Sequence, residues 1–156
     1  MPKTIQIIGS GFSSLAAACY LAKEGNKVTV FEKNNSLGGR ARQFTEKGFT
    51  FDMGPSWYWM PDVFESFFLD FGKKPSDYYS LEKLSPGYRV FFEGNEHFDV
   101  SDDLNTIISD FEKIEKGSGK QLEQFISNAK SNYEIAIKNL VYRPGESIFE
   151  LINPQT

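Results

Sequence analysis

Near the start of the chain, Gly9-Ser10-Gly11-Phe12-Ser13-Ser14 follows a short apolar run and opens a stretch of good helix formers. Each glycine has a use there. Gly9 permits a tight turn, and Gly11 lets backbone approach an anion at the positive end of a helix. Beyond them stands Glu32, 21 residues after Gly11, closing a β-branched segment. A carboxylate in that place accepts hydrogen bonds from ribose hydroxyls and repels a 2′-phosphate, which favours FAD or NAD over NADP. Ser14 occupies the position where the strict pattern has a third glycine, and Ala18 continues the small face one turn later. Two glycines in a turn need no ligand. The strand before them, the helix after them and the distant acid are what point to a dinucleotide.

A second glycine pair, Gly38-Gly39, precedes Arg40 and Ala41. The glycines allow close backbone approach, and Arg40 is suited to neutralise pyrophosphate charge through two parallel hydrogen bonds. On its own, this segment reads equally as a turn with Arg40 and Arg42 as solvated charges. Other candidates are weaker. Asp52 fits an Asx turn before Gly54 better than a general base. His97, the one histidine, falls in an expected hairpin where packing suffices. Cys19 lies among alanines and reads as a small buried residue. Without a His/Cys cluster, the sequence offers no metal site.

The elements that must position these residues follow from periodicity. Thr4 to Ile8 suits a buried strand, Ser13 to Glu24 a helix stopped by Gly25-Asn26, and Lys27 to Glu32 a second strand. A crossover into a parallel pair is expected. Gln43 to Lys47 and Phe49 to Met53 read as short strands about Lys47-Gly48. Residues 54–62 read as an ordered loop, and Val63 to Phe71 as a short helix stopped at Gly72. Tyr88 to Glu93 and Glu96 to Val100 flank Gly94-Asn95, a two-residue loop suited to a type II′ turn. Ser101 is the expected N-cap of a helix whose Leu104, Ile107, Ile108, Phe111 and Ile114 form one apolar face. Ser118 to Gln121 matches a capping box before a second amphipathic helix bearing Leu122, Phe125, Ile126, Ala129, Tyr133, Ala136 and Leu140. Ser147 to Ile152 adds a further apolar turn or two.

Composition narrows the classes. Among 156 residues, 17 basic and 21 acidic side chains give a net charge of −4, which argues against a generic nucleic-acid binder. One cysteine excludes an internal disulfide and favours a reducing, cytoplasmic setting. The longest apolar stretch, Leu15 to Ala22, is well short of the roughly 20 residues of a spanning helix. Fifteen Phe, seven Tyr and two Trp favour a Phe-rich core, with an apolar ligand channel as the other reading. Trp57, Tyr58 and Trp59 fit a channel wall, core packing or a membrane interface.

The run GSGFSSLAAACYLAKEGNKVTVFEKNNSLGGRA, followed by GFTFDMGPS, resembles the N-terminus of bacterial phytoene desaturases, within the two-glycine-motif flavoproteins that include amine oxidases. The resemblance is densest over residues 4–56. It implies FAD, stepwise dehydrogenation of a long apolar polyene such as phytoene towards lycopene, and attachment to the inner face of a membrane. It also implies a cofactor-contacting set. Gly9, Ser10, Gly11, Phe12, Ser13 and Ser14 would cradle the pyrophosphate, Glu32 would take the adenosine ribose, and Lys33 would belong to the same cofactor-binding set. Gly39 with Arg40 would close over the phosphates beside Gly38; Gly54, Pro55 and Ser56 would lie nearer the flavin ring, and Arg42 is a weaker member of the set.

The expected fold is α/β. A Rossmann-like βαβ unit forms the start of an FAD-binding domain over residues 1–56, and residues 57–156 begin a helical, substrate-side region that is incomplete. The sheet lacks strands and the helical faces lack partners, so the chain reads as about a third of a two-domain flavoprotein. Two other readings stay open: an amine oxidase-like enzyme on the same scaffold, and a short non-catalytic nucleotide-binding module.

Overall fold

A computed structural model describes residues 1–139 and 141–144. Leu140 and the Ser147–Ile152 segment lie outside the described residues. The chain divides into two compact units, with the boundary between Tyr79 and Ser80.

The first unit opens with strand β1 (Thr4–Ile8), helix α1 (Phe12–Lys23) and strand β2 (Lys27–Phe31). β1 and β2 are parallel, with Thr4 opposite Lys27 and Ile8 opposite Phe31. This is the Rossmann-like βαβ unit that the glycine spacing predicts. Ile5, Ile7, Val28 and Val30 are half-buried and alternate with exposed neighbours, because side chains of a strand point to alternate faces. α1 ends where Gly25 takes a positive φ of 85° and the Asn26 amide donates to the Leu21 carbonyl at 2.9 Å.

Strands β3 (Gln43–Glu46) and β4 (Phe49–Asp52) form an antiparallel hairpin about Lys47-Gly48. Both turn residues take positive φ, as a two-residue type I′ loop requires. One face carries the stacked Phe44–Phe51 pair and Phe49; the other carries polar pairs, Gln43 on Asp52 and Thr45 on Thr50. Helix α2 (Pro61–Asp70) starts two residues before the apolar run, because Pro61 is preset for the first helical turn. It is tied to α1 by the Tyr20 hydroxyl, which donates to Asp70 Oδ2 at 2.6 Å, and by Lys23, which donates to the Asp70 carbonyl.

The second unit holds strands β5 (Tyr88–Phe91) and β6 (His97–Val100) and helices α3 (Leu104–Ile114) and α4 (Ser118–Asn139). β5 and β6 pair antiparallel, with Arg89 bound through two nitrogens to Asp99 at 2.5 and 2.7 Å. Their connection is longer than the expected two-residue II′ turn. The strands stop at Phe91 and His97, a 3-10 turn covers Glu93–Asn95, and Gly94 and Asn95 both adopt positive φ.

Two capping expectations are corrected. Asp103, not Ser101, caps α3, its carboxylate accepting from Thr106 N–H at 2.8 Å; Ser101 accepts instead from Asp103 N–H. The Ser118 hydroxyl donates to the Phe111 and Glu115 carbonyls rather than capping α4. The carboxylate of Glu112, reaching across from α3, accepts from the N–H groups of Gly117 and Gly119.

The Phe-rich core does not form among the described residues. Only Ser10 and Gly119 are buried, and no apolar side chain is. Each sheet has two strands, so no strand has neighbours on both edges, and faces such as Phe125 and Ile114 of the helices stay exposed. Cys19 is likewise exposed, because α1 covers the sheet with its other face.

Candidate functional site

The turn between β1 and α1 is built from Gly9, Ser10 and Gly11. Gly9 has a φ of 92° and donates its N–H to the Phe31 carbonyl at 2.7 Å, locking the turn to the end of β2. Gly11 is the N-cap of α1 and has no side chain to satisfy the helix start. The first intrahelical bond is Leu15 N–H to Gly11 O, which leaves the N–H groups of Phe12, Ser13 and Ser14 directed out of the helix end. Open N–H groups of this kind, with the helix dipole, favour negative charge at a helix start.

The second glycine pair closes on the first. Gly38 N–H donates to the Ser10 carbonyl at 2.9 Å, and a Cβ on Gly39 would lie 3.1 Å from the Gly11 Cα. Gly54 closes the third side: a Cβ there would lie 2.1 Å from the Arg40 carbonyl oxygen. Glycine at 54 is therefore demanded by backbone-to-backbone approach, and at 39 it is favoured by a tight fit together with a positive φ of 60°. The three segments surround an open cavity of about 650 Å³ lined by Gly11, Phe12, Ser13, Ser14, Gly38, Arg40, Ala41, Met53, Gly54 and Pro55.

Eight residues marked by the sequence thus meet at one cavity, although more than 40 positions separate Gly11 from Gly54. Ala41 and Met53 join them; they flank the marked motifs but carry no polar group to attract attention. Gly9, Ser10 and Gly39 form the turns behind the wall. Lys33 and Ser56 are exposed and, like Glu32 and Arg42, are not part of the lining. Arg42 instead contributes backbone, its carbonyl accepting from Met53 N–H at 2.9 Å at the open end of the β3–β4 hairpin.

Glu32 sits beside the glycine turn. Its Oε2 accepts from the N–H and hydroxyl of Ser10, at 2.9 and 2.7 Å, and its Oε1 accepts from the N–H and amide of Asn34, at 2.9 and 2.7 Å. The Ser10 hydroxyl above all, then the Asn34 and Ser10 N–H groups, lower its pKa from 4.5 to about 2, so the carboxylate is ionised throughout the neutral range. Asn34 carried no motif in the sequence; a short polar side chain two residues past the acid was the only available signal.

The aromatic triplet splits. Trp57 and Trp59 stack on each other with ring centroids 6.1 Å apart, and both are exposed, so neither serves as core. Tyr58 faces the other way. Its ring stacks on Phe64 at 4.8 Å and its hydroxyl pairs with that of Tyr79; burial, then this pairing, pushes its pKa up. A smaller apolar cavity of about 270 Å³ lies between α1 and α2, lined by Phe12, Leu15, Ala16, Cys19, Val63, Phe64 and Phe67. Among the described residues no group of His, Cys, Asp and Glu is arranged to hold a metal ion.

The family described as the NAD(P)-binding Rossmann-like domain matches residues 7–71, which takes in both glycine pairs, Glu32 and α2. A carotenoid 3,4-desaturase of Haloarcula japonica is 48% identical over 139 residues, covering 89% of this chain and 28% of the relative. A 4,4′-diapophytoene desaturase (4,4′-diaponeurosporene-forming) of Staphylococcus haemolyticus is 38% identical over 152 residues, covering 97% of this chain and 30% of the relative. This chain is a homologue of the carotenoid desaturases. It spans somewhat under a third of the length of these relatives. Among solved structures, putrescine oxidase is 23% identical with a TM-score of 0.46, over 72% of this chain and 27% of that one. A fatty acid isomerase from P. acnes is 29% identical with a TM-score of 0.37, over 45% and 17%. The first unit of this chain carries a Rossmann-like fold whose glycine segments converge on one cavity.

Proposed function

We propose that this chain provides the dinucleotide-binding part of an FAD-dependent oxidoreductase that desaturates an apolar carotenoid precursor, phytoene towards lycopene. The observation that carries the proposal is the glycine cradle, in which Gly39 nearly touches Gly11 and Gly54 nearly touches Arg40 beside the open helix end. The cradle fits a pyrophosphate: N–H groups at Phe12 to Ser14, without partners among the described residues, border the cavity, and Arg40 in its lining supplies positive charge.

In this reading Gly9, Ser10 and Gly11 shape the turn, and Phe12, Ser13 and Ser14 donate to the phosphates. Gly38, Gly39 and Arg40 close over them, while Gly54, Pro55 and Ser56 lead towards the flavin ring. Glu32 holds the adenosine ribose, and its ionised carboxylate rejects a 2′-phosphate. Lys33 and Arg42 stand outside the cavity lining and take at most a peripheral electrostatic part. A bound flavin supplies the acceptor for a hydride leaving a saturated carbon as a neighbouring proton is lost.

The sequence relationship to the two desaturases supports a polyene substrate. Such a substrate resides in lipid, so we place the protein at the cytoplasmic surface of a membrane. The exposed Trp57–Trp59 pair supports this, as aromatic rings of this kind favour the interface. No described helix is long and apolar enough to cross a membrane.

The test is to purify the protein with its bound cofactor, identify that cofactor by mass, and incubate the holoprotein with phytoene in lipid vesicles. Bound FAD and the growth of longer-wavelength polyene absorbance are expected. Retained FAD with oxidation of an amine and no change in phytoene would overturn the substrate; no retained flavin would overturn the cofactor.

A further inference from the structure

The loop between β4 and α2 leaves the glycine-lined cavity and soon turns sharply. Met53, Gly54 and Pro55 line that cavity. Trp57 stands two residues beyond Pro55, so its Cα lies within about 7 Å of the Pro55 Cα however the chain runs. The Trp59 N–H then returns to the Trp57 carbonyl at 3.1 Å, a three-residue turn that brings Trp59 back beside Trp57. Both indoles thus stand within a side chain's reach of the cavity, with their planes 15° apart. They are the chain's two tryptophans.

This turn is held from outside. Met60, which follows it, has a φ of 55° and a ψ of 56°. That is left-handed backbone in a residue other than glycine, directly before Pro61, where extended backbone is preferred. Such a conformation persists only where its surroundings over-determine it. The Met60 carbonyl accepts from Val63 N–H at 3.0 Å. Tyr58, at the tip of the turn, is fixed along its whole side chain. Its ring stacks on Phe64 of α2 at 4.8 Å, and its hydroxyl pairs with that of Tyr79. With Tyr58 held on α2, Trp57 and Trp59 are turned together to the other side.

Two nearly parallel, exposed indoles present broad, flat, polarisable faces. An unsaturated isoprenoid chain is flat at each double bond and has no polar group. It gains dispersion contact along such faces and requires no hydrogen bond from them.

We infer that the Trp57–Trp59 pair is a docking ledge for an unsaturated isoprenoid chain beside the glycine-lined cavity, and that Tyr58 is the positioning residue that presets it. This rests on the polyene reading given above.

The experiment uses the full chain, whose indole emission comes from this pair. Lycopene in detergent micelles is the probe, because a conjugated polyene accepts energy from a nearby excited indole. Saturable quenching is expected, and phytoene should reverse it. Trp57→Leu and Trp59→Leu each leave one reporter and should raise the lycopene dissociation constant about two- to ten-fold, the usual worth of one aromatic contact. Circular dichroism tests Tyr58, since two coupled indoles give an exciton couplet that either tryptophan variant abolishes. Tyr58→Ala should abolish the couplet and weaken lycopene with both tryptophans in place. Tyr58→Phe keeps the ring on Phe64 and should restore the couplet and most of the affinity. If Tyr58→Ala loses helix content in the same spectra, Tyr58→Leu, which fills the space without a flat ring, takes its place. A couplet that survives these changes would overturn the positioning role. Unchanged lycopene affinity in both tryptophan variants would overturn the ledge; if those variants also no longer sediment with phosphatidylcholine vesicles, the pair serves the membrane instead. A wild-type chain without saturable quenching would bring down the polyene reading itself, and the ledge with it.

Discussion

Substituting Gly54 by alanine tests the cradle directly. The added Cβ would lie 2.1 Å from the Arg40 carbonyl oxygen, where ordinary contact begins at 3.4 Å. More than 1 Å must be absorbed, and both sides are backbone. Arg40 lies in the 3-10 turn Gly39–Ala41, pinned by Ala41 N–H on Gly38 O at 3.0 Å and by Gly38 N–H on Ser10 O at 2.9 Å. It cannot retreat into the glycine turn, because Gly39 is already packed against Gly11. The strain must open the cradle, at the about 1–3 kcal/mol typical of overpacking. For a chain of 156 residues that corresponds to a fall in Tm of about 2–12 °C. The displaced Arg40 segment should also weaken FAD at least about ten-fold, since misplacement by 1 Å is felt strongly in a preset site. Calorimetry and flavin fluorescence titration read the two effects. Gly87→Ala is the control, because its Cβ would meet only the Val100 carbonyl at an ordinary 3.6 Å. A Gly54→Ala protein that melts and binds FAD like wild type would refute the reasoning.

Gly11→Ala should separate the two effects: its Cβ meets nothing within 4 Å, so Tm should move little while FAD affinity falls, because the methyl group occupies the phosphate's approach. Asp103→Ala should lower the urea midpoint of unfolding as a lost N-cap, and Ser101→Ala distinctly less. Glu32 has a folded-state pKa lowered to about 2, so its contribution is complete above about 4.5 and is lost as pH falls towards 2. The stability gap between wild type and Glu32→Gln should accordingly stay constant from pH 8 to about 5 and close below it, which unfolding curves across that range would check.

Local chemistry was legible where neighbours in sequence are neighbours in space. β1, α1 and β2 fall within a residue or two of the positions that Thr4–Ile8, the glycines and Lys27–Glu32 predict, because turn glycines and β-branched runs act over a few residues. The parallel pairing of β1 and β2 followed from the crossover. Misjudged features share a different origin. Ser118 looked like a cap because the four-residue pattern fits one, but Glu112 of the preceding helix reaches the N–H groups first with two carboxylate oxygens. Asp103 displaced Ser101 because a carboxylate is the stronger acceptor and stands two residues closer to Thr106. Cys19 looked buried among alanines, yet its helix turns that face away from the sheet.

By itself, the sequence determined that two glycine pairs and an acid flank a βαβ unit, since those residue types restrict backbone and charge wherever they occur. That Gly39 meets Gly11, that Gly54 abuts Arg40, and that Asn34 shares a carboxylate with Ser10 was decided by tertiary structure alone. Those contacts depend on how separate turns are carried together by the strands and hairpin between them, and no spacing along the chain encodes a distance across it.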